Sequence, residues 1–139
     1  MRPSSYEHFA TMTQKPTILI VDDDPLVRAM LADYLDNNYN VLTAGDGVDA
    51  AYLYESNLEH VAAIVTDLEM PRLGGQSLAE WVHHIRPYLP VIIMSGSFEK
   101  DALHDLPSRP MTSFLGKPFE VTQLQEMLQL VLGPSGQPA

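Results

Sequence analysis

The chain contains no cysteine, so neither a disulfide framework nor a thiolate metal site can form, which fits a reducing cytoplasm. Positive charge is scarce: 8 Lys and Arg stand against 18 Asp and Glu, for a formal net charge of -10. So acidic a surface repels nucleic acid and anionic membranes as direct partners. No apolar run is long enough to span a bilayer. The N-terminal stretch MRPSSYEHFATMTQ has an early Arg but lacks the apolar core of a secretory signal. Residues 1–15 are expected to be a flexible arm, within which Met12 is an alternative start, and residues 133–139, GPSGQPA, a disordered tail. What remains, 16–132, suffices for one hydrophobic core and not for two.

Short apolar runs alternate with helical periods along this segment. Thr17–Val21 reads as a strand buried on both faces, followed by the acidic run Asp22-Asp23-Asp24 and by Pro25, which favours a helix start. The rows Leu26, Met30, Tyr34 and Val27, Leu31, Leu35 predict one wide apolar face on that helix, which Asn37 and Asn38 end. Val41–Ala44 is a second strand, and Gly45-Asp46-Gly47 leads into a helix carrying Val48, Ala51, Tyr52 and Leu53. Val61–Val65 is a third strand with Asp67 just beyond it, and Pro71, Gly74 and Gly75 turn the chain into a helix from about Ser77 to Arg86. Leu89–Met94, a short helix over Phe98–Leu106, a weaker strand Thr112–Leu115 and a helix through Val121, Leu124, Leu128 and Val131 complete the pattern. Strands alternating with helices across short loops imply an α/β, doubly wound parallel sheet with right-handed crossovers.

In such sheets ligands gather at the carboxyl ends of the strands. There the sequence puts Asp22 and Asp23, Asp67, Ser95 and Lys117. Converging carboxylates repel one another unless protonated or bridged by a cation, and oxygen donors without His or Cys suit Mg²⁺. Lys117 adds a fixed ammonium and Ser95 a hydroxyl. A carboxylate flanked by a cation, a metal ion and a hydroxyl is arranged to attack phosphorus and form an aspartyl phosphate. His83 and His84 are adjacent on one helix, point in different directions and receive no site.

The motifs ILIVDDDPLVR, VTDLEMPRLGG, PVIIMSG and FLGKPF, in that order, resemble a response regulator receiver domain of two-component signalling. The resemblance implies a flavodoxin-like (βα)5 fold with strand order 2-1-3-4-5. It makes Asp67 the phosphorylated residue and Asp22, Asp23, Asp67 and the Glu69 backbone carbonyl the Mg²⁺ site, Asp23 contacting the ion directly and Asp22 mainly through water, with Asp24 outside the set. Lys117 would contact the phosphoryl group, with Lys117-Pro118 cis, and Ser95 and Phe114 would be the switch pair. Phe119 is left as packing. The face made by the Phe98–Leu106 helix, the strand after it and the last helix would then be remodelled. The implied partners are a histidine kinase or phosphotransfer protein and a downstream protein target, and a homodimer is another use of that face. A single-domain module is expected, with a receiver excised from a larger regulator or hybrid histidine kinase as the alternative.

Three departures from the family pattern stand out. Gly74-Gly75 replaces the common Asp-Gly, removing a capping side chain and predicting a looser loop. Pro110-Met111 replaces Gly-Ala before the switch aromatic. Glu69 and Ser97 hold the positions that tune loss of the phosphoryl group to water. A phosphatase reading, with Asp22-x-Asp24 similar to the nucleophile motif of haloacid-dehalogenase-type enzymes, meets Pro25-Leu26 where that family has Thr or Val. It also lacks that family's cap domain and later acidic loop. A degenerate receiver acting as a constitutive docking module conflicts with the complete set of acids, Ser95 and Lys117.

Overall fold

The computed structural model describes residues 15–96 and 111–133. The elements are β1 (Thr17–Val21), α1 (Pro25–Leu35), β2 (Asn40–Ala44), α2 (Gly47–Ser56), β3 (Val61–Asp67), α3 (Gly75–Ile85), β4 (Val91–Ser95), β5 (Thr112–Gly116) and α4 (Val121–Leu132). The strands pair in parallel in the order β2-β1-β3-β4-β5, the doubly wound, flavodoxin-like order. The expected Phe98–Leu106 helix, the arm up to residue 14 and the tail from 134 lie outside the described residues. No helix among the described residues is long and apolar enough to cross a membrane.

Two cores follow from the period-two alternation of the strands. Leu19, Val21, Ile64 and Ile93 face Ala50 and Tyr54 of α2 and Leu78 and Val82 of α3. Ile18, Ile20, Ala63, Val65 and Ile92 face Leu31 and Leu35 of α1 and Leu124 and Leu128 of α4. Each fully buried Leu or Ile contributes roughly 1.5–3 kcal/mol.

Two helix faces differ from expectation. On α1 the row Val27, Leu31, Leu35 turns inward, whereas Leu26 is 80% and Met30 53% exposed. Neighbouring rows lie about 100° apart, so a helix on a sheet can centre only one of them. On α2 the buried residues are Gly47, Ala50 and Tyr54, and Tyr52 is exposed. That helix is apolar nearly all round, and what selects the face is Tyr54 meeting Trp81 of α3 edge-on, ring centroids 6.0 Å apart.

Helix starts bear on the site. Asp24 caps α1, its carboxylate accepting from Leu26 N at 2.9 Å, with Pro25 in the first turn. Asp46 caps α2, accepting from Asp49 N at 2.9 Å. α3 begins at Gly75, two residues before Ser77, with Gly74 at its N-cap and no side-chain cap bond. The early start depends on a missing Cβ: a methyl group built on Gly75 would overlap the backbone carbonyl oxygen of Asp67. Gly75→Ala is therefore expected to cost about 1–3 kcal/mol and to displace Asp67. Gly116→Ala, where a Cβ meets nothing within 4 Å, should cost under about 0.5 kcal/mol. Urea unfolding of the two variants checks the contrast, and equal midpoints would refute it.

Candidate functional site

The carboxyl ends of β1, β3, β4 and β5 converge, and with them the residues singled out above. Asp22 and Asp23 follow β1, Asp67 closes β3, Ser95 closes β4 and Lys117 follows β5. One carboxylate oxygen from each of Asp22, Asp23 and Asp67 falls within 4.8 Å of the others. Asp22 is buried, Asp67 half-buried and Asp23 exposed, so the cluster grades from core to solvent.

Backbone and side-chain bonds fix each acid differently. Asp22 Oδ1 accepts from the Asp24 amide at 2.9 Å, while Oδ2 is buried without a hydrogen-bond partner. Lys117 Nζ stands 3.8 Å from that oxygen, too far for a hydrogen bond, and donates to Asp67 Oδ1 at 3.1 Å. The Leu68 amide donates to the same Asp67 oxygen at 3.1 Å. Burial pushes both carboxyls above the ordinary carboxylate range, opposed at Asp22 by the Asp24 amide and Lys117 and at Asp67 by Lys117. Asp22 Oδ2 is thus a buried carboxylate oxygen without a donor, beside two further acids, and one ammonium at 3.8 Å does not satisfy it. The donor set is all oxygen and fits a hard divalent cation held by Asp22, Asp23 and Asp67.

Ser95 is fully buried, and its hydroxyl approaches Gly96 O at 3.5 Å. Phe114 is partly buried against the core shared with Ile93, its register partner on β4. The Lys117-Pro118 peptide is cis. Phe119 packs against the α1 and α4 side of the core. Glu69 is exposed, and Ser97 lies outside the described residues, as does Pro110. Met111 adopts a left-handed φ of 63° where the family pattern has a small residue.

Three further residues escaped the sequence reading. Arg28, one turn into α1, donates to the Asp22 carbonyl at 2.7 Å and holds the acidic turn against the helix. Its signal was a cation four residues after the Asp24 cap. Thr66 is buried, and its hydroxyl donates to the Asp67 carbonyl at 3.0 Å. Arg72 ties the loop after Asp67 to α2 through Asp46 and Asp49, 26 and 23 residues away, a pairing no local pattern reveals.

An acidic cluster with one buried member, a lysine and a hydroxyl at the strand ends of a five-stranded doubly wound sheet is an arrangement shared with known proteins. The response regulator receiver domain family matches residues 18–129. Among curated relatives, the autoinducer 1 sensor kinase/phosphatase LuxN of Vibrio campbellii is 32% identical over 83% of this chain and 13% of its own length. The sensor histidine kinase RcsC of Escherichia coli K12 is 32% identical over 81% of this chain and 12% of its own. The chain thus spans about an eighth of these relatives. Among solved structures, the receiver domain of Francisella response regulator 1452 superposes with a TM-score of 0.74 at 28% identity, covering 85% of this chain and 97% of that one. The match over most of the chain and the shared fold together make it a member of the response regulator receiver domain family of two-component signalling.

Proposed function

We propose that this chain accepts a phosphoryl group from a phosphohistidine donor onto Asp67, with Mg²⁺ bound, and relays the signal by binding another protein. The observation that supports this most is the bonding of Asp67. Among the described residues, the hydrogen bonds to its carboxylate end on Oδ1, which leaves Oδ2 without one. Transfer forms a bond from Oδ2 to phosphorus, breaks the bond from phosphorus to the donor, and releases the donor group with the bonding electrons. Asp22, Asp23, Asp67 and the Glu69 carbonyl would hold Mg²⁺, which neutralises charge on the transferring oxygens. Lys117 shifts from its resting partner Asp67 Oδ1 to the phosphoryl oxygens. Ser95 and Phe114 are the proposed switch, and Glu69 and Ser97 the residues that tune loss to water. The downstream face combines β5 and α4 with the Phe98–Leu106 segment, which lies outside the described residues. The chain is a phosphoacceptor and turns over no other substrate.

The test is intact mass after incubation with acetyl phosphate. Gain of one phosphoryl group with Mg²⁺, and none with EDTA, is the expected result. An unchanged mass under both conditions would sink the proposal.

Docking of a protein donor has its own surface. An apolar cleft of about 450 Å³ lies beside Lys117, lined by Val27, Met30, Pro118, Phe119 and Val121. Leu26 is exposed on the same helix. Met30→Glu is expected to slow transfer from a phosphohistidine protein about tenfold, as loss of an apolar contact does, with labelling by acetyl phosphate unchanged. Equal slowing with both donors would place the effect in the acceptor site instead.

The two curated relatives named above are sensor kinases far longer than this chain, which supports a second reading: a receiver that acts within a longer kinase. The length of the expressed protein separates the two.

A further inference from the structure

The loop from Leu68 to Gly74 carries Glu69 and joins Asp67 to α3, yet its last residue before the helix offers no capping side chain. Its other restraints come from outside. Gly47, the first residue of α2, lies so close to the loop that a Cβ there would overlap the Leu73 carbonyl. Arg72 reaches across the same junction. Its Nε and Nη2 both donate to Asp46 Oδ2, at 2.9 and 2.6 Å, and Nη2 also reaches Asp49 Oδ1 at 3.1 Å. Asp46 is only 16% exposed and is itself fixed as the α2 cap, so the guanidinium meets a rigid partner. Arg72 holds a left-handed φ of 70°, a conformation uncommon for a long side chain. An exposed ion pair alone is weak. Here one guanidinium bonds two acids from a backbone geometry that the pair itself helps to hold.

We infer that Arg72 is a positioning residue for the phosphoacceptor site: clasped to Asp46 and Asp49, it fixes the loop after Asp67 where this chain lacks a capping side chain at Gly74. The inference rests on the reading of Asp67 as the acceptor. The clasp acts through the backbone. Asp67 closes β3, its carbonyl lies against Gly75, and the Gly75 amide donates to Leu68 O at 2.9 Å, so a displaced loop moves the acceptor and the Glu69 carbonyl together. The Asp49 amide and then Arg72 hold the Asp46 carboxyl below its ordinary range, as expected of a carboxylate that accepts from both. Without it the loop samples more geometries and fewer of them are competent for transfer.

The test compares native chain, Arg72→Asn, Arg72→Lys and Asp67→Asn. Asparagine tolerates the left-handed backbone, so Arg72→Asn removes the clasp without adding strain. Labelling rate with acetyl phosphate and Mg²⁺ is followed by intact mass at low and high salt, and exchange of the loop amides is followed alongside. Arg72→Asn is expected to label about three- to fivefold more slowly than the native chain at low salt and to approach it at high salt, where the clasp is screened. Its loop amides should exchange faster, and Arg72→Lys, which keeps the charge but loses the fork, should fall between. Native chain and Arg72→Asn labelling at the same rate at both salt concentrations would overturn the inference alone. A native chain that takes no label, or labels as well after Asp67→Asn, would overturn the reading beneath it and the inference with it.

Discussion

Asp67→Asn is expected to remove the Mg²⁺-dependent phosphoryl adduct, lowering uptake from acetyl phosphate by at least about a thousandfold, the scale on which loss of a nucleophile is felt. The substitution is nearly isosteric. The amide oxygen can keep the bonds that Oδ1 accepts from Lys117 and the Leu68 amide, so folding should survive and the loss will belong to chemistry. The neighbouring acids offer poor substitutes. Asp22 is buried, with one oxygen held by the Asp24 amide and the other beneath the surface. Asp23 is exposed, and no lysine contact like that at Asp67 Oδ1 is seen at its carboxylate among the described residues. Asp24, the nucleophile's partner in the phosphatase reading, is committed as the cap of α1. Intact mass before and after acid-stable digestion controls will decide. Undiminished labelling of Asp67→Asn would move the acceptor to another residue.

The parts of this site that were legible in the sequence are those whose position depends on strand order alone. Asp22, Asp67, Ser95 and Lys117 each stand at the end of an apolar run, and parallel pairing brings such ends to one edge whatever the helices do. Helix orientation was less legible. The inward rows on α1 and α2 were chosen by contacts with other elements, Tyr54 with Trp81 above all, and both helices carry enough apolar residues to support a wrong face. The restraint on the loop after Asp67 was not legible at all. Gly74-Gly75 reads locally as freedom, yet in the fold Gly75 is forced by the Asp67 carbonyl, and Arg72 bonds acids more than twenty residues away. Interactions that cross the chain leave no period behind them.

The buried oxygen of Asp22 leads to the second large effect, in stability rather than labelling. Asp22 and Asp67 hold their protons more tightly when folded than an ordinary carboxyl does, chiefly because burial disfavours the charge. Between the unfolded value, about 4, and the raised folded value, the native state therefore binds more protons than the unfolded chain. The stability this supplies is fully present below the unfolded value and is lost as pH rises through the folded one. At neutral pH, without a divalent cation, the native chain carries the cost of an incompletely paired buried charge. Asp22→Asn removes that charge while its amide oxygen keeps the bond from the Asp24 amide, and in EDTA it should be more stable than the native chain by about 1–3 kcal/mol. The advantage should shrink as pH falls towards about 4, where the native carboxyl is protonated as well. Saturating Mg²⁺ reverses the order. At a hundred times its dissociation constant a cation that binds only the folded state adds about 2.7 kcal/mol, and the variant, short of one of the three carboxylate charges around the ion, should gain little of it. Thermal melts of both chains, in EDTA and in Mg²⁺, at neutral and acid pH, measure each of these differences. If Asp22→Asn melts below the native chain in EDTA at neutral pH, the carboxylate is a stabilising partner of Lys117 rather than a ligand kept waiting in the core. The cation would then have to bind through Asp23 and Asp67 without it.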